Sequence, residues 1–311
     1  MKEGSYDASQ VMTVVLNWEG WSKTLACLDS LDRQSFERQT VLVVDNGSRD
    51  DSVERLLRER PQLDIIQTGA NLGYAGGMNA GMRRALEVGA THIWLLNNDT
   101  EPESDALAAL VRCAESDPPS GALASLGRRR VADASRSDTY ATAYRYDAHR
   151  LDPVLCPDTG PGDHSCHEVD IVTGGSILVR TEAVRQVGLM DESYFHYAEE
   201  HDLVERMRRA GWRVSLVCDS VVPHARGASL DNRSPQASYY YLRNHLLLRQ
   251  KLWGEPVWRV VVREPMLVRR ALRLRTVLSG DPRPLVATAL ALLDAVRRRT
   301  GPRDLGRRFR A

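Results

Sequence analysis

The 311-residue chain has 42% apolar and 27% charged residues, which is ordinary for a soluble globular protein and excludes a largely disordered chain. Its length allows one large domain, or a domain of roughly 200 residues with an appendage. The longest strongly apolar stretch, residues 285–296, has 12 residues, well short of the roughly 20 that a membrane-spanning helix needs. The N-terminus lacks a signal-peptide pattern and the five cysteines are an odd, scattered number, which indicates a reducing cytoplasm.

Charge is distributed unevenly along the chain. Residues 256–311 contain 14 Arg and no Lys against four acidic residues, a net charge of +10. Because the whole chain carries +1, residues 1–255 carry −9. The basic part therefore predicts a solvated surface, a homodimer contact with the acidic remainder, or a helix lying on anionic lipid at the inner face of the membrane. A nucleic-acid partner is not expected, since this part has few aromatic residues and no recognised binding module.

Apolar, β-branched runs alternate with helix-period segments through the first hundred residues. The predicted strands are 11–17, 40–45, 64–68 and 92–96, and the predicted helices include 51–60 and 78–88. Near-continuous apolar strands separated by helices favour an α/β fold with a mostly parallel central sheet flanked by helices. Polar residues follow three of the strands: Asn17, Asp45 and the run from Asn97 to Asp99. Because ligands of such sheets bind at the carboxyl ends of the strands, these side chains should line one cleft.

The second half of the chain is less regular. Residues 114–168 are rich in Pro, Gly, Ser, Asp and Arg, which predicts long loops with one strand pair. Further predicted elements are a strand over 169–179, a helix over 199–210, a strand over 213–217 and a helical pattern from Pro235 onward. The sequence therefore divides into a domain of residues 1–230 and a helical, Arg-rich C-terminal extension of residues 231–311.

Four motifs occur in order along the first of these domains. They are "VVDNGSRDDS" from residue 43, "NLGYAGGMNAG" from 71, "LLNNDT" from 95 and "HYAEEHDL" from 196. Together they resemble the inverting family 2 glycosyltransferases, which have the Rossmann-like GT-A fold, and they look closest to the rhamnosyltransferase-like branch. The resemblance covers about residues 11–250 and implies a nucleotide diphospho-sugar donor, with dTDP-rhamnose preferred over a UDP-sugar. The implied acceptor is a hydroxyl group of a saccharide, lipid-linked glycan or secondary metabolite.

The resemblance implies that Asp45 binds the pyrimidine base, since a carboxylate accepts a hydrogen bond from the N–H of the ring. The other residues implied at the nucleotide-sugar are Asn17, Asn46, Gly73, Gly76, Gly77, Asn79, Asn97, Asn98, Gly174 and Gly175. The alternative for Asp45 is a tight turn, and the alternative for Gly174 and Gly175 is strand packing. A nicotinamide enzyme is not expected, because no Gly-x-Gly turn follows the first strand.

Asp99 corresponds to the last acid of the family's metal motif, and His224 to a histidine that binds the metal in related enzymes. The implied cofactor is Mg²⁺ or Mn²⁺, which favours oxygen ligands. Many members have two or three acids where this chain has Asn97 and Asn98, so weaker metal binding is expected. The alternative is that Asp99 only caps a turn.

Glu200 corresponds to the acid that serves the family as general base, and Glu199 and Asp202 are fallback candidates. Alternatively, the three acids merely complement the dipole of the helix that begins there. Two other functions stay open at this stage. A sugar-1-phosphate nucleotidyltransferase shares a similar core, although its Gly-rich signature is missing, and a non-catalytic nucleotide-sugar-binding protein would need Asp45 but not Glu200.

Overall fold

The computed structural model describes residues 10–129, 139–147, 150–156, 166–224, 234–272, 280–303 and 305, and the chain separates into two compact units. The first unit comprises Met1–Asn71, Gly77–Leu189 and Leu203–Arg226. The second comprises Leu72–Gly76, Met190–Asp202 and Gly227–Ala311. The second unit thus includes two short segments from the region that the sequence assigned to residues 1–230.

The elements of the first unit alternate between strand and helix. Its strands are β1 (Val11–Asn17), β2 (Gln39–Asp45), β3 (Asp64–Gln67), β4 (His92–Asn97), β5 (Ser120–Arg129), β6 (Thr139–Tyr140), β7 (Ala143–Asp147), β8 (Arg150–Val154), β9 (Cys166–Glu168), β10 (Ile171–Val172), β11 (Ser176–Arg180) and β12 (Arg213–His224). Its helices are α1 (Trp21–Leu31), α2 (Ser52–Glu59), α3 (Gly73–Glu87), α4 (Ala106–Ser116), α5 (Thr181–Val187) and α6 (Glu199–Arg209), of which α3 and α6 begin in the second unit.

Nine strands form one sheet in the order β3-β2-β1-β4-β11-β5-β12-β9, with β6 paired to β5. The group β3-β2-β1-β4 is parallel, as is the pair β5–β12, whereas β11 runs antiparallel to both of its neighbours. In register, Asn17 pairs with Asp45, and Leu16 pairs with Asn97. The predicted α/β fold is confirmed, and the polar ends of β1, β2 and β4 lie side by side.

Apolar residues of this sheet are buried between helices. Leu28 and Leu31 of α1 pack into a core with Trp94 of β4 and with the apolar residues of α4. Met78 and Met82 of α3 are fully buried as well. This packing fixes the sheet and therefore the positions of its polar strand ends.

Several predicted element bounds were wrong. The strand predicted over 169–179 is two strands, β10 and β11, because Gly174 between them has a φ of 110° that breaks the extended run. Residues 114–168 contain more strand than predicted, and their hairpin β7–β8 joins β10 in a three-stranded sheet. The hairpin agrees with the one strand pair predicted for these residues, whereas β5, β6 and β9 were not predicted, because short strands interrupted by polar residues give a weak period-2 signal.

Four of the five cysteines are paired in the first unit. Cys113 is disulfide-bonded to Cys166, and Cys156 to Cys218. The fifth, Cys27, is a buried free thiol whose pKa burial raises to about 12. This pairing differs from the expectation of a reducing compartment, in which disulfides are uncommon.

The second unit is helical in its C-terminal part. Its helices are α7 (Pro235–Trp253), α8 (Val257–Arg263), α9 (Pro265–Leu272) and α10 (Arg283–Val296). Helix α7 begins after Ser234, whose Oγ accepts a hydrogen bond from Ala237 N, and it ends at Gly254 in the left-handed conformation. Tyr239 and Leu246 of α7 are buried against α9 and α10. None of the helices in the described ranges is long and apolar enough to span a membrane.

Candidate active site

Asp45 is a buried carboxylate, 3% exposed, at the carboxyl end of β2. Asn17 Nδ2 donates to Asp45 Oδ1 at 2.8 Å, Ser48 Oγ donates to the same oxygen at 2.5 Å, and Ser48 N donates to Oδ2 at 3.1 Å. A carboxylate accepts about four hydrogen bonds. Asp45 is therefore held in one orientation and keeps capacity for a donor on a ligand.

The turn after Asp45 requires glycine. Gly47 has a φ of 72°, and a Cβ placed there would lie 2.4 Å from the carbonyl carbon of Ala70. A Cβ on Gly77 would lie 2.5 Å from Leu16 Cδ1 and 3.1 Å from Asn46 Cγ, so Gly77 lets α3 approach β1 and the buried Asn46. Residues 45–47 thus form a tight turn, and Asp45 is at the same time held in a fixed orientation. Gly77 allows close packing of α3 at this edge of the sheet.

Asn98 links β4 to β1 through side chains. Asn98 Nδ2 donates to Thr24 Oγ1 at 3.0 Å, and Thr24 Oγ1 donates to Asn17 Oδ1 at 2.7 Å. Since Asn17 in turn donates to Asp45, a continuous chain of hydrogen bonds runs along the three strand ends. We call Asn17, Thr24, Asp45, Ser48 and Asn98 the strand-end network. Asn98, predicted to bind the nucleotide-sugar, uses its amide in this network.

Asp99 and His224 are in direct contact although 125 residues separate them. His224 Nε2 lies 2.7 Å from Asp99 Oδ1, and Asp99 is 7% exposed. The backbone joins the two segments as well, because Glu101 N donates to Pro223 O at 2.9 Å. The structure therefore brings together the two residues that the sequence analysis proposed as metal ligands.

The donor set at this pair suits a divalent cation only in part. In the described ranges of the chain, no three His, Cys, Asp or Glu side chains come close enough to hold a metal ion. Asn97 Oδ1, however, is buried without a hydrogen-bond partner in the described part of the chain, and orphan buried polar atoms are rare. A carboxylate, an imidazole and an amide oxygen are ligand types that Mn²⁺ or Mg²⁺ accepts. The protein would thus supply part of a coordination sphere and leave the remainder to the substrate and water.

Gly175 faces the same strand end. Asn97 N donates to Gly175 O at 2.9 Å, and a Cβ on Gly175 would lie 2.9 Å from Thr100 Cγ2. Gly175 borders a small pocket that is also lined by Thr100, Tyr140 and Ser176. Strand packing therefore explains Gly175, and the hydroxyl-lined pocket beside it has room for about one water molecule.

Glu199 and Glu200 begin α6, in a segment that belongs to the second unit. Glu199 is 2% exposed, and among the described residues its Oε2 has no hydrogen-bond partner. Burial, together with the charge of Glu200, raises the pKa of Glu199 well above its usual value. Burial also raises the pKa of Glu200 to about 7. Because such a carboxyl titrates near neutral pH, Glu200 can exchange a proton there.

Asp202 has different surroundings from the two glutamates. It is fully buried, and Lys251 Nζ lies 2.6 Å from its Oδ1, while the hydroxyl of Tyr194 donates to the same oxygen at 3.4 Å. Lys251 also pairs with Asp191 at 2.7 Å; burial lowers the pKa of Lys251, but the two carboxylates outweigh that effect and raise it above its usual value. Both contacts engage Asp202 Oδ1, so this oxygen is not free to accept a proton from a substrate hydroxyl. Of the three candidate bases, the geometry favours Glu200 over Asp202.

The glycines that open α3 also lie in the second unit. Gly73 has a φ of 75°, and a Cβ placed there would lie 2.2 Å from the carbonyl oxygen of Phe195. Gly76 contacts Leu72 within the same segment. Gly73 is therefore required for a backbone approach to Phe195, four residues before the start of α6, whatever else it binds. Asn79, also predicted at the nucleotide-sugar, is buried in the first unit.

Three residues of these two sites escaped the sequence analysis. Ser48 was detectable in principle, because Asp-x-x-Ser after a strand commonly forms a turn closed by side-chain hydrogen bonds. Thr24 and Lys251 gave no signal, since a polar residue on a helix is usually solvent-facing. Their contacts depend on how helices pack.

Comparison with known proteins identifies relatives of the chain. Residues 11–188 match the family described as Glycosyl transferase family 2. A protein of Mycobacterium tuberculosis (strain ATCC 25618 / H37Rv), named N-acetylglucosaminyl-diphospho-decaprenol L-rhamnosyltransferase, is 28% identical over 294 residues, which cover 82% of this chain and 90% of that protein. The resemblance read from the motifs is thereby confirmed.

Solved structures share the fold. GalNAc-T7, crystallised with UDP, GalNAc and Mn²⁺, superposes with a TM-score of 0.64 at 15% identity, covering 92% of this chain and 55% of that one. The mannosyltransferase PcManGT of Pyrobaculum calidifontis, in complex with GDP-Man and Mn²⁺, gives a TM-score of 0.55 at 16% identity, covering 94% and 76%. These likenesses establish the GT-A fold.

Proposed function

Because the chain belongs to glycosyl transferase family 2, we propose that it transfers a sugar from a nucleoside diphosphate donor to a hydroxyl group of a lipid-linked saccharide, with inversion at the anomeric carbon. The observation that carries this proposal is the cluster at the carboxyl ends of β2 and β4, where Asp45 is fixed by the strand-end network and Asp99 contacts His224. Ligands of parallel α/β sheets bind at this edge.

Asp45 binds the pyrimidine base of the donor in this proposal. Its carboxylate is oriented by Asn17 and Ser48 before the ligand arrives, so binding costs little reorganisation. A ring N–H is the donor that a carboxylate best accepts. The proposal therefore predicts binding of dTDP or UDP in preference to nucleotides that lack this N–H.

Asp99 and His224, with Asn97 nearby, would hold Mg²⁺ or Mn²⁺, which when bound offsets the negative charge of the departing diphosphate. Support comes from the ligand types at this strand end and from the orphan Asn97 Oδ1. Asn97 and Asn98 bring no charge, so we expect weaker metal affinity than in a site with several acids.

Glu200 removes the proton of the acceptor hydroxyl as that oxygen attacks the anomeric carbon. With a pKa of about 7, it is substantially ionised at neutral pH and still basic enough to accept a proton. Displacement from the face opposite the diphosphate inverts the configuration. Burial and the charge of Glu200 raise the pKa of Glu199 well above its usual value, which favours a neutral Glu199 beside an ionised Glu200.

We take dTDP-rhamnose as the first donor and a polyprenyl-diphosphate saccharide as the first acceptor class to test. The support is the name of the mycobacterial relative, which specifies a rhamnosyl group and a diphospho-decaprenol acceptor. A UDP-sugar is the second donor class. The identity of 28% leaves the sugar to be decided by assay.

The testing experiment combines binding and turnover. Thermal unfolding is followed with dTDP, UDP, GDP and ADP, each with and without Mn²⁺, and a ligand at 100 times its Kd should add about 2.7 kcal/mol of stability. Turnover is then measured with dTDP-rhamnose and N-acetylglucosaminyl-diphospho-decaprenol. Release of dTDP together with a rhamnosylated acceptor supports the proposal. Release of pyrophosphate would identify a nucleotidyltransferase, and binding without turnover of any sugar donor would identify a binding protein.

A membrane-facing surface in the second unit also belongs to the proposal. Trp258, Val262 and Met266 lie four residues apart along α8 and α9 and are 64%, 71% and 63% exposed, with the exposed Arg259 and Arg263 beside them. Apolar side chains flanked by arginine suit an anionic lipid surface. We therefore expect peripheral attachment to anionic membranes, where a lipid-linked acceptor resides.

Vesicle sedimentation tests this surface. The triple variant Trp258→Ser, Val262→Ser, Met266→Ser should lose binding to phosphatidylglycerol vesicles that the parent chain binds. Leu155→Ser, at a comparably exposed apolar residue of the first unit (59%), should bind like the parent. A different result would identify this surface as a homodimer contact. In that case the parent chain would not bind vesicles and would sediment as a dimer, and the triple variant would sediment as a monomer.

A further inference from the structure

The backbone leading into the two glutamates is strained. Phe195, Tyr197 and Ala198 have φ values of 67°, 68° and 78°, a conformation that costs a residue with a Cβ about 1–3 kcal/mol. His196 N donates to Tyr194 O at 2.8 Å, which makes Phe195 the centre of a γ-turn of the rare positive-φ form. A segment of this kind persists only where other contacts hold it.

Asn244 of α7 provides such contacts. Its side chain is fully buried, and its Nδ2 lies 2.7 Å from Tyr194 O, 2.6 Å from His196 O and 3.0 Å from Tyr197 O. The amide has two N–H hydrogens, which are shared among three carbonyl oxygens. One side chain therefore bridges most of the turn.

Arg243 fixes the direction in which this amide points. Its Nε donates to Asn244 Oδ1 at 2.7 Å, which leaves Nδ2 facing the carbonyl groups. The guanidinium also donates to Tyr194 O at 3.1 Å and to Gly301 O at 2.7 Å, and it lies over the rings of Tyr239 and Tyr240. Arg243 is fully buried, so this arrangement has little freedom.

The remaining carbonyl group of the turn is satisfied from α3. Tyr74 N donates to Phe195 O at 2.7 Å, an approach that only glycine at position 73 permits. All four consecutive carbonyl groups from residue 194 to 197 thus accept hydrogen bonds from other elements of the second unit. Helix α6 starts two residues later, with Glu199 and Glu200 in its first turn.

We propose that Asn244, oriented by Arg243, is a positioning residue for Glu200: it holds residues 194–198 in the strained conformation that sets where α6 begins and where its glutamates point. The inference rests on the proposed function, in which Glu200 is the base. A general base acts only within hydrogen-bond reach of its proton, and a displacement of about 1 Å can cost about 100-fold in rate. The C-terminal helices therefore serve catalysis through α7.

Hydrogen exchange tests the holding role without any substrate. In Asn244→Ala, amides of residues 190–202 should exchange at least about tenfold faster than in the parent, while β1 to β4 keep their rates. Gln250→Ala is the matched control, because Gln250 lies on the same helix and donates to Ala295 O at 3.0 Å instead. Asn244→Ser, which keeps one donor, should give an intermediate rate and serves if the alanine variant does not fold.

Kinetics with dTDP-rhamnose and N-acetylglucosaminyl-diphospho-decaprenol test the positioning role. Asn244→Ala should lose about 100-fold in kcat with the donor KM within about threefold of the parent, since the donor-binding groups are unchanged. Exchange in 190–202 equal to that of Gln250→Ala overturns the inference, and so does fast exchange with full kcat. Glu200→Gln separates the two proposals. If Glu200→Gln is inactive while Asn244→Ala is fully active, only the positioning role of Asn244 is wrong. If Glu200→Gln is fully active, Glu200 is not the general base, and the proposed function is wrong on that point.

Discussion

The buried carboxylates of the two units differ in the hydrogen bonds that they accept from neighbouring side chains. Asp45 of the first unit receives hydrogen bonds from Asn17 and from both donors of Ser48. Glu199 of the second unit has an oxygen without a partner among the described residues, and burial raises the pKa of Glu199 and Glu200. In the proposed function, donors hold the carboxylate that binds the pyrimidine base in one orientation, whereas burial allows Glu200 to accept a proton near neutral pH.

The largest effect is expected when the carboxylate of Glu200, the proposed general base in the second unit, is replaced by an amide. Glu200→Gln should lower kcat about 1000-fold, because a general base contributes 10²- to 10⁴-fold, while stabilisation by dTDP stays as in the parent. Turnover and thermal shift are measured on the same preparation. Equal loss of dTDP binding and turnover would contradict the separation of roles. Glu200→Asp is the control, since it shortens the side chain and keeps a base.

Lys251 provides a second contrast within the second unit, because it is a counter-ion for Asp202, whereas Glu199 and Glu200 form no ion pair with any residue in the described ranges. Lys251→Ala should destabilise the fold by about 3 kcal/mol, because it removes the ammonium group that pairs with a fully buried carboxylate. Urea unfolding measures the change. Lys23→Ala, at an exposed lysine of α1, should change stability by less than about 0.5 kcal/mol. Equal effects in the two variants would mean that the pair with Asp202 contributes nothing.

On the first unit, Asp45→Asn should weaken dTDP binding by about 2 kcal/mol, or about 30-fold, since a hydrogen bond to a charged group is replaced by a weaker one. Isothermal titration with dTDP measures the change. Ser48→Ala, which removes one support of Asp45 but no ligand contact, should have a smaller effect. A larger effect of Ser48→Ala would place the binding group elsewhere.

Stability should also depend on pH through the glutamates. A folded-state pKa of about 7 for Glu200 exceeds the unfolded value of about 4.3, so the folded state binds more protons between these values. The free energy of unfolding therefore falls as pH rises from about 4.5 to 7 and levels off above. We expect the free energy of unfolding, measured with urea, to be about 1–2 kcal/mol lower at pH 8 than at pH 5. This range already allows for the partial exposure of Glu200, which reduces the effect. In Glu200→Gln the free energy of unfolding should change less with pH. If its pH dependence is the same as in the parent, other groups cause it.

The sequence was most informative where local pattern and sheet topology coincide. Asp45 and Asn97 were predicted at one edge because parallel apolar strands place their carboxyl ends together. The proximity of Asp99 and His224 followed from the family resemblance alone, since no local pattern links residues 125 apart. Their roles as ligands, and the role of Glu200, stay predictions.

The contacts that the sequence did not predict are set by how the helices and strands pack. Gly73 was predicted beside the nucleotide-sugar, and the structure shows it against Phe195 O, a contact across 122 positions that no pattern signals. Asn98 was predicted there too, yet its amide is engaged by Thr24. Asn244 attracted no attention because an asparagine inside a helix normally faces water. Each of these residues acts through tertiary contacts with distant backbone.

The long separation between Asp99 and His224 has a consequence for synthesis of the chain. Every member of the strand-end network has been translated once residue 98 is made, but the partner of Asp99 is added 125 residues later, about 6–25 seconds at 5–20 residues per second. A ribosome-bound chain halted before β12 thus contains every residue of the strand-end network but lacks the Asp99–His224 pair. In the proposed function, the residue that binds the pyrimidine base is therefore synthesised well before the pair that would hold the metal ion is complete.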